Sequence, residues 1–382
     1  MLDILREGNA ALYDDGQRSM VFPLDGAWGS AAPVLRKVEF YLWLLIHGIN
    51  PFRVQIIKEL ETLGEGDVLF SFYIGRADVT DSSSIEAYQH CKAMKLMHLT
   101  HCMFRPELGA ANIAKLGVSG LVAEADISEN GFFKRYFGHL RKPLHLLPYA
   151  FDNRFGRNVM WEDREAKCAA TGTFQSIAKE AGLAEFRDFF KTDTFHPLRR
   201  KIFESRELLT DLLEVRMSDL DAEIQPSTGK HPMYKGSRLR KAYAFACKYY
   251  DERLRPFHGR RKYYDFNIVD FYNAHKLFVV PEEYIGFPSI GFVEGMACGT
   301  AFIGLDHPMY RDLGLLPGVH YISYDGSLDD LIEKIHYYLG NDDLLRSIAT
   351  NGYNFVTANF SKEKVKQRFF EHLLAMQKSK SF

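Results

Sequence analysis

The chain has 382 residues, of which 46% are hydrophobic and 25% are charged, and this balance excludes an intrinsically disordered protein. Its 48 lysines and arginines offset 49 acidic residues, so the net charge of −1 gives no general attraction to nucleic acid, and no nucleic-acid partner is expected. The length exceeds what one hydrophobic core usually supports, so we expect two domains.

The first part of the chain alternates short apolar runs with helical segments of about ten residues. Such alternation indicates strands joined by helical crossovers, and therefore a parallel sheet covered by helices. Residues 1–66 carry no clear pattern of this kind. The predicted strands are 67–75, 95–103, 119–126 and 143–151, and the predicted helices are 82–94, 106–117 and 131–140.

A second lobe is expected after Phe151, where a polar, irregular stretch marks a linker. Residues 166–174 predict its first strand, which runs into a Thr-Gly-Thr turn. Between about 175 and 264 the alternation is lost, and we interpret this stretch as a mostly helical insertion. The alternation returns from residue 265. The remaining predicted strands are 276–280, 300–304 and 319–325, and the remaining predicted helices are 266–275, 290–298, 327–339, 341–356 and 361–376.

Residues 280–304 are the most informative stretch. An apolar strand ends in a Gly/Pro/Ser loop, a helix opens near Ser289, and another strand follows. A helix start presents unpaired N–H groups and the positive end of the helix dipole. Gly291 permits close approach of the backbone to a ligand, and Glu294, one turn in, can meet sugar hydroxyls. The stretch therefore predicts a phosphate-and-ribose cradle formed by Ser289, Ile290, Gly291 and Glu294.

The sequence EGMACGTAFIG at 294–304 resembles the donor-binding signature of group 1 glycosyltransferases of the GT-B fold, which reads roughly E-A-M-A-C-G-T-P-V-I. LLPYAFDNRF at 146–155 is similar to the V-P-x-G-x-D-x-x-R-F segment that closes the N-terminal domain in that family. The chain after Leu328 is similar to the family's last helices. The resemblance covers most of the chain and is to enzymes of the bacterial surface-glycan type, family 4-like or CgeB-like.

The resemblance implies an α/β fold of two Rossmann-like, doubly wound domains that face a cleft. It implies an N-terminal acceptor domain over 1–155 and a C-terminal nucleotide-sugar donor domain over 156–360. The donor domain would contain the helical insertion at about 175–264. A C-terminal helix within 361–382 would pack back on the N-terminal lobe.

By this resemblance Glu294 is the second acid of the family's E-x7-E pair, which holds donor hydroxyls. The first acid is displaced, because Gly286 stands eight positions earlier and the loop YIGFPSIG is three residues longer than the family's G-F-G. Of the nearest acids, Glu282 and Glu283, the second reaches the sugar if the longer loop bulges. Glu283 and Glu294 are therefore the predicted catalytic residues, and retention and inversion both stay open. The alternative for Glu294 is a helix-surface side chain.

A nucleoside diphosphate requires positive charge on the second lobe. HPLRRK, which contains Arg199, and GKHP are candidate segments, although the three His-Pro steps at His196, His231 and His307 cannot all bind phosphate. The alternative for each step is a turn or a helix cap. The Thr-Gly-Thr segment is expected to line the cleft or to form a simple turn. The further predicted donor-binding residues are Thr171, Gly172, Thr173, Arg200, Lys201, Lys230 and His231.

No metal cofactor is expected, and the nucleotide sugar would be a co-substrate. Asp219 and Asp221 match an Asp-x-Asp metal motif, but we expect them in the helical insertion and not at a strand end, so we interpret the match as coincidence. His98 and His101 would lie on opposite faces of a strand, which argues against a shared metal site. The residues predicted to face an acceptor are Gly75, Arg76, His98 and His101.

A cytoplasmic location is expected. The five cysteines show no C-x-x-C spacing, so neither a disulfide framework nor a zinc site is predicted. The start of the chain lacks the apolar core of a secretory signal, and no apolar run reaches the roughly 20 residues of a membrane span. The basic and aromatic segment 253–264 is compatible with peripheral contact at the inner face of a membrane, or with a solvated surface.

The predicted function is transfer of a sugar from a nucleotide-sugar donor to a glycan or lipid-linked acceptor in cell-surface polysaccharide synthesis, such as lipopolysaccharide or capsule. One alternative on the same fold is a CMP-sugar transferase of the Kdo or sialic-acid type, or a sugar-nucleotide epimerase. Another is a catalytically degenerate glycan-binding or scaffold subunit, which the displaced acid pair favours.

Overall fold

The computed structural model describes residues 10–13, 41, 44–45, 49–73, 82–219 and 266–380. Its strands are β1 (Leu12–Tyr13), β2 (Ile56–Ile57), β3 (Val68–Phe72), β4 (Met94–His98), β5 (Gly120–Ala123), β6 (Leu144–Leu146), β7 (Glu165–Phe174), β8 (Leu213–Asp219), β9 (His275–Val279), β10 (Ala301–Leu305) and β11 (Ile322–Tyr324). Its helices are α1 (Ser82–His90), α2 (Pro106–Lys115), α3 (Gly131–Phe137), α4 (Ala184–Phe190), α5 (Pro197–Glu204), α6 (Ile268–Ala274), α7 (Gly291–Ala297), α8 (Pro308–Asp312), α9 (Leu328–Leu339), α10 (Asp342–Asn359) and α11 (Lys362–Lys380).

The N-terminal lobe contains a parallel sheet in the order β3-β4-β5-β6. Strand β4 is buried at all five positions, as expected for an inner strand covered on both faces. Because the strands are parallel, their carboxyl ends lie at one edge of the sheet. His98 ends β4 at this edge and pairs in register with Val122 of β5. Two further residues, Leu12 and Ile56, pair in the separate parallel ladder of β1 and β2.

The C-terminal lobe contains a parallel sheet in the order β11-β10-β9-β7-β8. From β7 the chain first adds β8 on one side and then β9 on the other side. This reversal makes the sheet doubly wound and places a topological switch point between the carboxyl ends of β7 and β9. Buried side chains cover both faces, with Phe278 and Phe302 in one cluster and Leu277 and Ile303 in the other.

Helix α7 packs very closely on β9, because glycines face the sheet. A Cβ atom added at Gly295 would lie 2.4 Å from the Phe278 ring, and one added at Gly291 would lie 2.8 Å from Val280. Only glycine fits such a close helix-to-strand contact without displacing the neighbour. Gly291 and Gly295 therefore serve helix packing.

The lobes contact each other through aromatic side chains. The ring centroid of Phe132 in α3 lies 5.6 Å from that of Phe186 and 5.7 Å from that of Phe190, both in α4. The backbone N–H of Arg105 also donates to the carbonyl oxygen of Gly182 at 2.7 Å. The interface is therefore packed as well as hydrogen-bonded.

Within the described ranges the chain crosses between the lobes twice, and the two crossings run side by side. Phe151 N–H donates to the Phe360 carbonyl oxygen at 3.2 Å, and Lys362 pairs with Asp152. Beyond the second crossing, α11 packs on the N-terminal sheet, where Phe369 lies with its ring centroid 5.6 Å from that of Phe70. Other α11 side chains cover the same apolar surface, namely Leu373 and Met376.

Two sequence predictions about the second lobe are wrong. Thr-Gly-Thr forms no turn, because β7 continues through it and pairs with β8 up to Phe174 and Asp219. The alternation is also kept over 175–219, where α4 and α5 are followed by β8. Strand β8 lies at the sheet edge, and its charged residues are half-buried or exposed, so its sequence resembles that of a polar helix. Residues 220–265 lie outside the described part of the chain.

Candidate active site

Arg199 spans the switch point of the C-terminal sheet. Its Nε donates to the carbonyl oxygen of Pro281, just after β9, at 2.7 Å, and its Nη1 donates to that of Thr173, in β7, at 3.1 Å. The residue is only 6% exposed. Open α/β sheets bind ligands in the crevice outside such a point, so a buried positive charge stands where an anionic ligand is expected.

Gly172 makes room for this arginine. Its φ of 140° is a conformation that favours glycine, and an added Cβ would lie 2.8 Å from the Nε of Arg199. Any side chain at this position would therefore displace the guanidinium from the crevice.

Glu282 and Glu283 follow β9 and have different surroundings. Glu282 is buried and accepts hydrogen bonds from Leu305 N at 2.9 Å, from Tyr310 Oη at 2.5 Å and from Tyr324 Oη at 3.1 Å. Successive side chains of an extended segment point in opposite directions, and the half-buried Glu283 interacts instead with the charge of Arg199. Glu282 thus braces the lobe from inside, while Glu283 belongs to the crevice.

The N-terminal lobe presents polar groups at the carboxyl edge of its own sheet. Glu124 directly follows β5, and its Oε1 lies 3.4 Å from Nε2 of His98 at the end of β4. The other ring nitrogen of His98 contacts the Thr100 hydroxyl. Tyr149, after β6, is hydrogen-bonded to Glu124. Four polar side chains from three strand ends therefore converge at this edge.

The charge of Glu283 in the C-terminal lobe acts on Glu124 and Cys102 in the N-terminal lobe, so the carboxyl edges of the two sheets face each other. Burial raises the pKa of Glu124 from 4.5 to about 7, and the charge of Glu283 acts in the same direction. Burial, followed by the charges of Glu283 and Glu124, raises the pKa of the Cys102 thiol to about 12. Burial also raises the pKa of Glu283, whereas Arg199 lowers it. At neutral pH the Glu124 carboxyl group in the cleft can therefore gain and lose a proton readily.

His98 carries no positive charge at neutral pH. Burial lowers its pKa from 6.5 to about 4, so the imidazole is neutral. A neutral imidazole beside Glu124 offers this carboxylate no formal positive charge, which is consistent with the raised pKa of Glu124.

Helix α7 carries Glu294 in its first turn, as predicted, and the side chain is half-buried. Part of the expected amide cradle is already occupied, because Phe292 N–H donates to the Ser289 carbonyl oxygen at 3.0 Å. Gly291 faces Val280, so its missing side chain serves packing. Ile290 is 43% exposed beside it. The role of Glu294 and of this loop in binding stays a prediction.

The other predicted donor-binding residues are spread over different surroundings. Thr171 is buried, and its hydroxyl lies 3.1 Å from that of Tyr272, so it belongs to the interior of the lobe. Arg200 forms an ion pair with Asp193, and Lys201 is exposed. Of the basic run in HPLRRK, Arg199 is thus the residue at the crevice. The remaining candidates Lys230 and His231 lie outside the described residues, as do Gly75 and Arg76.

The His-Pro steps at His196 and His307 both stand immediately before helices that begin with proline. His307 caps α8, since its Nδ1 accepts from Met309 N at 3.3 Å, and it packs against Gly286. The capping alternative therefore holds for His307. His196 accepts no such capping bond and lies near Arg199, whose charge, after burial, lowers its pKa.

Two of the residues considered for metal binding lie elsewhere than expected. Asp219 is the last residue of β8, so it does stand at a strand end, while Asp221 is outside the described residues. His101 lies beyond β4 in a turn with a φ of 57°, and not on the opposite face of that strand.

Comparison with known proteins adds to this geometry. Residues 234–371 match the family model described as "Glycosyl transferase-like". Solved structures of Alr3699/HepE from Anabaena, in complex with UDP-glucose and with UDP and glucose, each give a TM-score of 0.53 at 12% identity, covering 88% of this chain and 89% of that one. Its complex with UDP gives a TM-score of 0.50 with the same identity and coverage. The fold is GT-B. Comparison with curated protein sequences finds no match.

The GT-B fold confirms the predicted pair of Rossmann-like lobes. The fold alone does not assign roles to individual residues. Among the residues at the cleft, Glu124 was not identified by the sequence analysis. A carboxylate directly after the apolar run GLVA was the available signal, because strand ends of a parallel sheet meet at one edge.

None of the helices in the described ranges is both long and apolar enough to cross a bilayer.

Proposed function

We propose that the protein transfers a glycosyl group from a nucleotide-sugar donor to a hydroxyl group of an acceptor. The observation that carries this proposal is the position of Arg199 and Glu283 at the switch point of one GT-B lobe, opposite Glu124 of the other lobe. The glycosyl transferase-like match over residues 234–371 supports the same function.

The C-terminal lobe is proposed to bind the donor. The charge of Arg199 favours the diphosphate in the crevice, and Glu283 and Glu294 would accept hydrogen bonds from sugar or ribose hydroxyls. Because HepE forms complexes with UDP and with UDP-glucose, a uridine diphosphate sugar is the first donor to test. Lys230 and His231 remain proposed diphosphate contacts, and Ser289 and Ile290 proposed loop contacts.

The N-terminal lobe is proposed to activate the acceptor. The acceptor oxygen forms a bond to the anomeric carbon as the bond from that carbon to the diphosphate oxygen breaks. The acceptor proton passes to the Glu124 carboxylate, and the nucleoside diphosphate leaves with the bonding electron pair. Glu124 suits this step because its pKa of about 7 allows it to accept a proton and later release it near neutral pH. We propose no metal in this reaction.

The acceptor is proposed to be a glycan or a lipid-linked glycan in cell-surface polysaccharide synthesis. The resemblance of EGMACGTAFIG to surface-glycan enzymes supports this choice. A lipid-linked acceptor would also give a role to the basic and aromatic segment 253–264, at the inner face of a membrane.

Ligand-dependent stabilisation tests the donor proposal without knowledge of the acceptor. Thermal unfolding of the full chain would be followed with UDP, GDP, CMP and inorganic pyrophosphate. At a ligand concentration of 100 times Kd, binding adds about 2.7 kcal/mol to the stability of the native state. We expect UDP to raise the melting temperature, and pyrophosphate alone to do so much less. Stabilisation by CMP alone would favour the CMP-sugar alternative.

Turnover then distinguishes an enzyme from a binding subunit. UDP released from UDP-glucose, UDP-galactose and UDP-N-acetylglucosamine would be measured with mixed glycan acceptors and without acceptor. Glu283→Gln should reduce UDP release without lowering the melting temperature, and Glu86→Gln, on the exposed face of α1, is the matched control. Binding of UDP without release from any donor would refute the enzymatic proposal.

A further inference from the structure

A second cluster of ionisable side chains lies at the opposite edge of the C-terminal sheet. Glu165 begins β7, Glu214 is the second residue of β8, and His275 begins β9. Glu165 and His275 are register partners, and a β-bulge in β7 follows Glu165. One ligand atom from each of the three residues lies within 4.8 Å of the others. Since the strands are parallel, this amino-terminal edge lies away from the proposed donor crevice.

His275 is held in one orientation, and its second nitrogen faces the cluster. The residue is 1% exposed, and Nδ1 lies 2.8 Å from the carbonyl oxygen of Phe271. A carbonyl oxygen can only accept, so Nδ1 carries a proton. The buried Nε2 makes no hydrogen bond to any part of the chain that the structure describes, yet it lies 3.2 Å from Oε2 of Glu214.

The charges around this nitrogen are unequal. Oε1 of Glu214 accepts from Nε of Arg216 at 3.0 Å, which leaves Oε2 directed at His275. Glu165 adds a second, exposed carboxylate. Glu165 and Glu214 supply two carboxyl groups, and Arg216 is the guanidinium that pairs with one of them. If Nε2 carries no proton, its lone pair faces a carboxylate oxygen, which is unfavourable unless a cation lies between them.

We propose that Glu165, Glu214 and His275 bind a divalent transition-metal ion, with Zn²⁺ as the best match. An imidazole with two carboxylates is a ligand set that Zn²⁺ accepts, and water would complete the coordination. For bonds of about 2.1 Å, neighbouring ligand atoms in a tetrahedral shell lie about 3.4 Å apart, close to the separation of Nε2 and Oε2. The Nδ1 hydrogen bond to a backbone carbonyl is the usual outer partner of a metal-bound histidine.

The bound ion would hold together the first residues of β7, β8 and β9. This role is independent of the proposed glycosyl transfer, because the cluster lies at the far edge of the sheet. The competing arrangement has no metal and a doubly protonated His275 paired with Glu214. The two arrangements differ in whether the exposed Glu165 is needed, since only metal binding uses its carboxylate.

Titration of the full chain with Zn²⁺ tests the proposal. After treatment with EDTA and dialysis, Zn²⁺ binding would be measured by competition with a chromophoric chelator, and Co²⁺ binding by its visible absorption. We expect one tight site and a rise in melting temperature. Glu165→Gln and Glu214→Gln should each weaken this binding at least tenfold. Glu207→Gln, which removes an exposed charge next to Arg206, should leave it unchanged.

Each possible result decides the question. Loss of the site in Glu165→Gln with the far-ultraviolet circular dichroism retained supports the proposal even if Glu214→Gln folds poorly. Equal affinity in Glu165→Gln and Glu207→Gln, or no Zn²⁺ binding at all, would overturn it in favour of the ion pair. Stronger binding of Mg²⁺ or Ca²⁺ than of Zn²⁺ would also overturn it, because an imidazole ligand selects against those ions.

Discussion

Replacing Glu124 by glutamine should strongly reduce activity and at the same time stabilise the protein. The substitution keeps the shape of the side chain but removes its charge and its ability to accept a proton. Loss of a general base lowers kcat by about 10²- to 10⁴-fold. In the native enzyme, kcat should rise with pH up to about 7, as the pKa of Glu124 is passed and the carboxylate forms. The glutamine variant should lose this dependence.

The gain in stability follows from the same pKa. Burial raises the pKa of Glu124 from 4.5 to about 7, so ionising this carboxyl in the folded protein costs about 3 kcal/mol more than in the unfolded chain. Below pH 4.5 both states are protonated, and no penalty exists. As the pH rises towards 7 the native protein loses this stability, whereas Glu124→Gln does not. The variant should therefore be more stable by about 1 kcal/mol at pH 5 and by about 3 kcal/mol at pH 8.

Urea unfolding at pH 5 and pH 8 measures this difference, together with initial rates of UDP release over the same range. Glu86→Gln is the control, because Glu86 is an exposed glutamate of the same lobe. An active Glu124→Gln enzyme would refute the proposed role as a base. A stability difference that does not grow with pH would refute the inference that the carboxyl is buried and ionises with difficulty.

Three further substitutions test other parts of the site. Glu283→Gln should lower kcat/KM by about 10²-fold in initial-rate assays without lowering the melting temperature, and full activity would exclude Glu283 from the reaction. Gly172→Ala should destabilise the protein by about 1–3 kcal/mol in urea and weaken UDP binding, since the new Cβ would meet Arg199; unchanged UDP affinity would contradict the role given to that arginine. Gly295→Ala should cost about 1–3 kcal/mol of stability through its clash with Phe278, and a neutral effect would show that α7 can move away from β9.

The sequence predicts the inner strands well, because an inner strand of a parallel sheet is buried on both faces. Strand β4 shows this, with all five residues buried. Edge strand β8 was mistaken for helix, since LEVRMSD places charged residues at positions that are half-buried or exposed. The pattern of apolar residues thus indicates directly which residues are buried, but only indirectly which segments pair as strands. The same limit explains the Thr-Gly-Thr error, where glycine was interpreted as a turn although its role is to admit Arg199.

The candidate site was predicted only in part, for a related reason. Proximity to the motif identifies Glu283, whereas the role that motif similarity gives to Glu294 stays a prediction. Glu124 could not be found in this way, because it comes from the other lobe and only the fold brings it close to Glu283. Burial of Arg199, in contrast with exposed Lys201, also depends on how α5 packs against the sheet ends, which no spacing in the sequence records.

The path of α11 affects how this enzyme could be re-engineered. Exchanging N-terminal lobes between proteins of this fold is one way to change specificity, and a single junction near Phe155 is the simplest design. Such a chimera would retain Leu373 and Met376 from the parent, although these side chains must fit the foreign Met94 and Val122 surface. A fragment ending at the junction would instead expose that surface to solvent and favour aggregation. The exchangeable unit is therefore discontinuous and consists of the N-terminal lobe together with the final helix.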